Sequence, residues 1–179
     1  MRIHQLSNFG LAAALALAFS SAHASDGTIT FAGQLQTSTC AVSAASANQT
    51  VTLPTLATTN LNSAGQTGGS TAFAIAVSGC PTGVGAPTTF TTFFETNSNV
   101  DMNNGNLKST GTATGVQLRL SNATGGAIRL DKPTGSQNVT ATSLSAGAGT
   151  ANYFAEYFAT GATSAGTVAS SITYSMVYN

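Results

Sequence analysis

Hydrophobic residues recur at every second position in a series of short runs, with Thr, Ser, Asn and Gln between them. In "TITFAGQL" (28–35), Ile29, Phe31 and Leu35 fall on one side of an extended chain and Thr28, Thr30 and Gln34 on the other. "QTVTLPTL" (49–56) puts Val51 and Leu53 on one face. Pro54 has no N–H to give a ladder, so it makes the end of that run an edge or a bulge. "STAFAIAVSGC" (70–80) alternates Phe73, Ile75 and Val77, and "SSITYSMVYN" (170–179) alternates Ile172, Tyr174, Met176 and Tyr178. A period of two predicts strands. "TTFTTFFE" (88–95), "GVQLRL" (115–120), "GAIRL" (126–130) and "ANYFAEYFAT" (151–160) extend the series, with "SNATGG" (121–126) as the turn between two of them.

No segment shows the 3.6-residue period of an amphipathic helix with caps. The alanine-rich "AVSAASAN" (41–48) is short and predicts a connection with at most a helical turn. Strands separated by Gly, Asn, Ser and Thr turns predict an all-β sandwich. "GAGT" (147–150) and "GATSAG" (161–166) are short enough for hairpin or sheet-crossing loops, and no repeat or domain linker interrupts the pattern.

The opening segment changes the picture. Residues 1–24 carry Arg2, an apolar run from position 11 to 19, and small residues Ala22 and Ala24 before a polar stretch. That is the composition of a secretory signal peptide, and the run is too short for a bilayer span. Cleavage after Ala24 would leave residues 25–179, a length suited to one domain with a sizeable core. Export also decides how the two cysteines read. Cys40 and Cys80, bound for an oxidising compartment, most simply form one disulfide. Closing a loop of that length contributes roughly 3–4.5 kcal/mol on the chain-entropy model.

Charge is scarce. After the leader only Lys108, Arg119, Arg129 and Lys132 stand against Asp26, Glu95, Asp101, Asp131 and Glu156, a net charge of about −1. No basic field for nucleic acid or an anionic membrane can be assembled from this set. A surface of Thr, Ser, Asn and Gly with so little charge suits a protein that packs against copies of itself better than a free monomer. Both histidines, His4 and His23, lie in the leader, which removes Ser-His-Asp and Cys-His catalysis from the remainder. Glu95 and Glu156 are the sole glutamates that could act as an acid–base pair, and near strand ends they read as solvated surface groups. The Gly-rich stretches lack the phosphate-loop lysine. "DKPTG" (131–135) supplies one carboxylate where a calcium site needs several oxygens, and reads as a turn. The expectation is a non-enzyme without cofactor or metal.

Several stretches carry a family resemblance. "GTITFAGQLQTSTCAV" leads into the first cysteine and "AFAIAVSGC" ends in the second; "GVQLRL" follows in the middle, and "YFATGATSAGTV" precedes "ITYSMVYN" with its penultimate tyrosine, Tyr178. Together they resemble the type 1 pilin family, the fimbrial major subunits of the chaperone–usher pathway. The resemblance implies an incomplete immunoglobulin-like sandwich lacking its final strand, with an N-terminal donor-strand extension. It divides the chain into a leader (1–24), a donor strand (25–37) and a pilin domain (38–179). Ile29, Phe31 and Leu35 would then enter the groove of another subunit, with Gly33 at an inward position where the groove is narrow or the strand bulges. Val51, Leu53, Ile172, Tyr174, Met176 and Tyr178 would form the acceptor groove and chaperone contact; Tyr178 also has the plain reading of an ordinary core aromatic.

The partners so implied are copies of itself or related pilins, a periplasmic chaperone and an outer-membrane usher. Nucleic acid and direct membrane insertion of the mature chain are not among them. The place implied is an adhesive fimbrium on the bacterial cell surface, reached through the periplasm. The segment before Cys40 is short, which suits a minor linking subunit as well as a major one. A self-complete secreted sandwich that binds carbohydrate is the competing class, separated by whether residues 28–37 pair within their own domain.

Overall fold

A computed structural model describes Thr30 and residues 40–179. The donor segment with Ile29, Phe31, Gly33 and Leu35, and the leader, lie outside the described residues. Strand β1 (Ala41–Val42) is followed by one helical turn, α1 (Ala44–Ala47), and a 3₁₀ turn (Thr58–Leu61). Then come β2 (Thr67–Ser78), β3 (Thr89–Glu95), β4 (Leu107–Lys108), β5 (Val116–Asn122), β6 (Thr142–Ser143), β7 (Gly149–Ala159) and β8 (Thr173–Tyr178).

The strands make two antiparallel sheets. One has the order β1-β2-β7-β5-β4 and the other the order β6-β3-β8. Long β2 and β7 form the spine of the larger sheet, from Thr67↔Phe158 to Val77↔Gly149, with one shift of register between Gly68 and Thr71. In the smaller sheet β3 pairs along its length with β8, from Phe90↔Tyr178 to Glu95↔Thr173. Alternation sends Ile75, Val77, Phe90, Phe94 and Leu120 into one shared core. Tyr153 of β7 sits at its centre. Its ring meets Phe94 edge-on at 5.5 Å, and its hydroxyl donates to Thr92 Oγ1 at 2.9 Å. That bond ties the sheets inside the core, where an unpaired phenol would be costly.

Cys40 and Cys80 are joined, with Cα atoms 4.1 Å apart. The bond fastens the start of β1 to the chain just beyond β2, beside the Ala41↔Ser78 pair.

Two expected strands take other forms. Residues 49–57 belong to no strand. The edge of β2 that they would need is already served by side chains. Ser46 Oγ donates to the Ala74 carbonyl and accepts from the Ala76 N–H, and Gln49 Nε2 donates to the same Ala74 carbonyl. Pro54 removes a further donor. "GAIRL" reduces to a single bridge, Ser121↔Ala127, after which Arg129 N–H turns to the Gln137 carbonyl. Ile128 and Leu130 nonetheless reach the core. The turn over 121–126 closes as its sequence requires, with Gly125 N–H on the Asn122 carbonyl.

Candidate functional site: an open groove beside the last strand

β8 is the last strand of its sheet, and among the described residues nothing pairs with its outer side. A cleft of about 470 Å³ runs beside it. Residues 46–53, including Val51 and Leu53, form one lip; residues 170–174, including Ile172 and Tyr174, form the other. Phe73, Ile75, Phe94, Leu118 and Leu120, residues of both sheets, line its floor. The cleft is thus an opening into the main core. Met176 and Tyr178 stand farther along β8 and do not line it, though they pack against the same core.

A second hollow of about 580 Å³ continues along the same two segments, between residues 55–58 and 163–168. Leu56, Leu61, Val116, Tyr157 and Val168 give it an apolar lining and belong to a small core of their own. Its outer wall is held by hydroxyls. Thr112 and Thr167 exchange side-chain and backbone bonds, and Thr114 does the same with Ser164. Gly111 and Gly166 let the two segments approach so closely that a Cβ at either would strike the opposite backbone. No sequence period announces such a wall; the glycines of "GTATG" and "SAGTV" are its trace.

The polar groups of the lips are accounted for by local bonds. Tyr174 Oη donates to the Ser46 carbonyl at 2.8 Å, and burial pushes the pKa of that phenol up. The chain leading into β8 is fixed from outside by Asn99 Nδ2 on the Ser171 carbonyl and Thr110 Oγ1 on the Ala169 carbonyl.

Nothing here resembles a reaction centre. Glu95 lies on β3 and accepts from Thr173 Oγ1, while Glu156 lies on β7 of the other sheet and takes two bonds from Arg119. The "DKPTG" turn holds Asp131 with one oxygen on Arg129 Nε at 2.8 Å and the other on Lys132 Nζ at 2.8 Å. That carboxylate is fully used by cations of the chain itself. Among the described residues no cluster of three His, Cys, Asp or Glu could hold a metal.

Two sheets around one core, open along the outer side of β8 with which no described residue pairs, define an incomplete immunoglobulin-like sandwich. The same fold is found in a solved chaperone–usher pilus, which aligns with a TM-score of 0.64 over 87% of this chain and 96% of its own at 21% identity. The chain belongs to the type-1 fimbrial protein family: the family model described as "FimA: Type-1 fimbrial protein, A" matches residues 53–179. It is 40% identical to the F17 fimbrial protein of Escherichia coli, over 92% of this chain and 94% of that one. It is 38% identical to the major fimbrial subunit SMF-1 of Stenotrophomonas maltophilia (strain K279a), over 92% of this chain and 99% of that one. Fold and family are those of a structural pilin, not of an enzyme.

Proposed function

We propose that this chain is a structural subunit of a bacterial surface fimbria, exported through the periplasm and polymerised by donor-strand exchange. The carrying observation is the unpaired outer side of β8 beside a cleft that opens onto the core. An exposed strand edge over apolar surface invites aggregation unless it is covered. An added strand repairs both defects at once, through main-chain hydrogen bonds and side chains placed in pockets. A periplasmic chaperone would cover the edge first, and a neighbouring subunit, delivered at the outer-membrane usher, would cover it in the fibre.

Residues 25–37 supply the complementary strand. Ile29, Phe31 and Leu35 give it one apolar face, and Gly33 leaves room on that face. Val51, Leu53, Ile172 and Tyr174 of the acceptor would meet them in the cleft, with Met176 and Tyr178 continuing the edge. Polymerisation of this kind needs no chemistry, in keeping with a chain so poor in reactive groups.

The test is a chain lacking residues 25–37 after its leader, expressed with its chaperone and usher. It should accumulate as a chaperone-bound subunit that does not extend a fibre. Long, stable fibres from that variant would refute the proposal.

A further inference from the structure

The loop between β2 and β3, "PTGVGAP" (81–87), projects a single apolar side chain. Val84 is fully exposed, and with Met102 it is one of two large exposed hydrophobic residues among those described. Gly83 with φ 106° and Gly85 with φ 79° hold it at the tip of a turn closed by Ala86 N–H on the Gly83 carbonyl. Prolines 81 and 87 stiffen both stems. An isolated exposed valine is ordinary; its position in the chain is what matters.

Cys80 begins this loop and is bonded to Cys40, with the two Cα atoms 4.1 Å apart. Val84 is four residues beyond Cys80, so it lies within roughly 15 Å of that disulfide even at full stretch. On the other side, residue 37, the end of the donor segment, is three residues before Cys40 and can be no more than roughly 11 Å from it. A groove that holds residues 25–37 must therefore bring its own subunit up against the end of the sandwich that carries Val84. We infer that the 81–87 loop is a second contact between consecutive copies of this chain, with Val84 packed on the copy whose groove holds residues 25–37.

This rests on the donor-strand reading, but it concerns a different surface. Strand donation links the subunits, and the loop fixes the angle between them. A short tether alone allows the two bodies to swivel; a stiff apolar tip pressed on the neighbour does not. The contact is head-to-tail, the kind that propagates as a fibre without closing.

The experiment uses the full chain assembled into fibres, with Val84→Cys and Val84→Asp variants. Thiol labelling of V84C by a maleimide should slow by about tenfold or more between the chaperone-bound subunit and the fibre, because a packed interface excludes the reagent. Peptide mapping of the product checks that the Cys40–Cys80 bond is intact. V84D should still assemble, since its donor strand and groove are untouched, but its fibres should lose stiffness, read as a shorter persistence length by electron microscopy. Equal labelling in subunit and fibre, or V84D fibres as stiff as the parent, would overturn the inference while leaving donor-strand exchange standing. Failure of the donor-strand reading shows elsewhere, as fibres that form without residues 25–37.

Discussion

Tyr174 and Ser46 are joined across the cleft by a bond of 2.8 Å from the phenolic hydroxyl to the backbone carbonyl. Tyr174 belongs to β8 of the smaller sheet. Ser46 sits in α1 and is pinned by its own hydroxyl to the edge of β2 in the larger one. The bond is therefore a strap between two sheets on the side where the sandwich lacks a strand. It holds the lips at a set separation before anything fills the space between them.

Replacing Tyr174 with Phe keeps the ring on the cleft and removes only this bond. We expect a loss of about 0.5–1.5 kcal/mol, the net worth of one hydrogen bond at a half-buried site. The measurement is the urea midpoint of the subunit completed by a synthetic peptide of residues 25–37. An unchanged midpoint would mean that the strap contributes nothing once the groove is filled.

Gln137 does for β3 what a neighbouring strand would do. β6 covers that edge of β3 only at Thr89 and Phe90. Farther along, Phe94 N–H donates to Gln137 Oε1 at 3.0 Å and the Phe94 carbonyl accepts Gln137 Nε2 at 2.6 Å. The side chain is 2% exposed. Gln137→Leu fills similar volume but leaves both backbone groups unpaired and buried. The expected cost is roughly 2–6 kcal/mol, since each of the two groups costs about 1–3. Denaturant unfolding would show it as a lower midpoint at constant slope, and a loss below about 1 kcal/mol would point to water replacing the amide.

Alternation in "STAFAIAVSGC", "TTFTTFFE" and "SSITYSMVYN" is enough to place β2, β3 and β8, because one face of each packs on the core and the other does not. Alternation alone does not mark the cleft: Val51 and Leu53 line one lip from a segment that forms no strand, and Ile172 and Tyr174 line the other. It fails where a backbone edge is satisfied by a side chain. Ser46 and Gln137 are single polar residues in segments without period, and their partners lie 28 and 43 residues away in the chain. β4 and β6 are two-residue strands, too short to show any alternation. That the groove stays open is likewise not written in β8 itself. Its sequence reads as an ordinary strand with one apolar face, and its free side follows from the order of strands around it.

The glycines of the outer wall should differ sharply in tolerance. A Cβ at Gly111 would meet the Thr167 carbonyl, which the Ala113 N–H already holds. Neither backbone can give without breaking the wall of the second hollow. Gly161, at the other end of the same wall, has nothing within 4 Å of the place a methyl group would take. Gly111→Ala should cost about 1–3 kcal/mol, as overpacking does. Gly161→Ala should change stability by less than about 0.5 kcal/mol. Thermal unfolding of the two variants side by side tests the difference; equal effects would mean the close approach is not needed.

Stability should fall at both ends of the pH scale. Arg129, and then Lys132, hold the Asp131 carboxyl well below the usual carboxylate range. The backbone N–H of Asn103 and the side chain of Gln117 depress Asp101 in the same direction. A carboxyl whose folded pKa lies below its unfolded value stabilises the protein above the unfolded pKa of about 3.9, and that contribution fades as pH falls through the folded value. Burial raises the phenols of Tyr153, Tyr174 and Tyr178. Those groups favour folding below about pH 10, and their share is lost as pH rises through the folded values. Asp131→Asn should lower stability at neutral pH by leaving Arg129 and Lys132 without their counter-charge, and should flatten the acid limb. By about pH 2 its urea midpoint should have drawn toward the parent's, because below the unfolded value of about 3.9 the unfolded parent takes up a proton that the folded carboxyl still resists. Curves that keep a constant separation down to that pH would show that the Asp131 ion pairs do not supply the acid sensitivity.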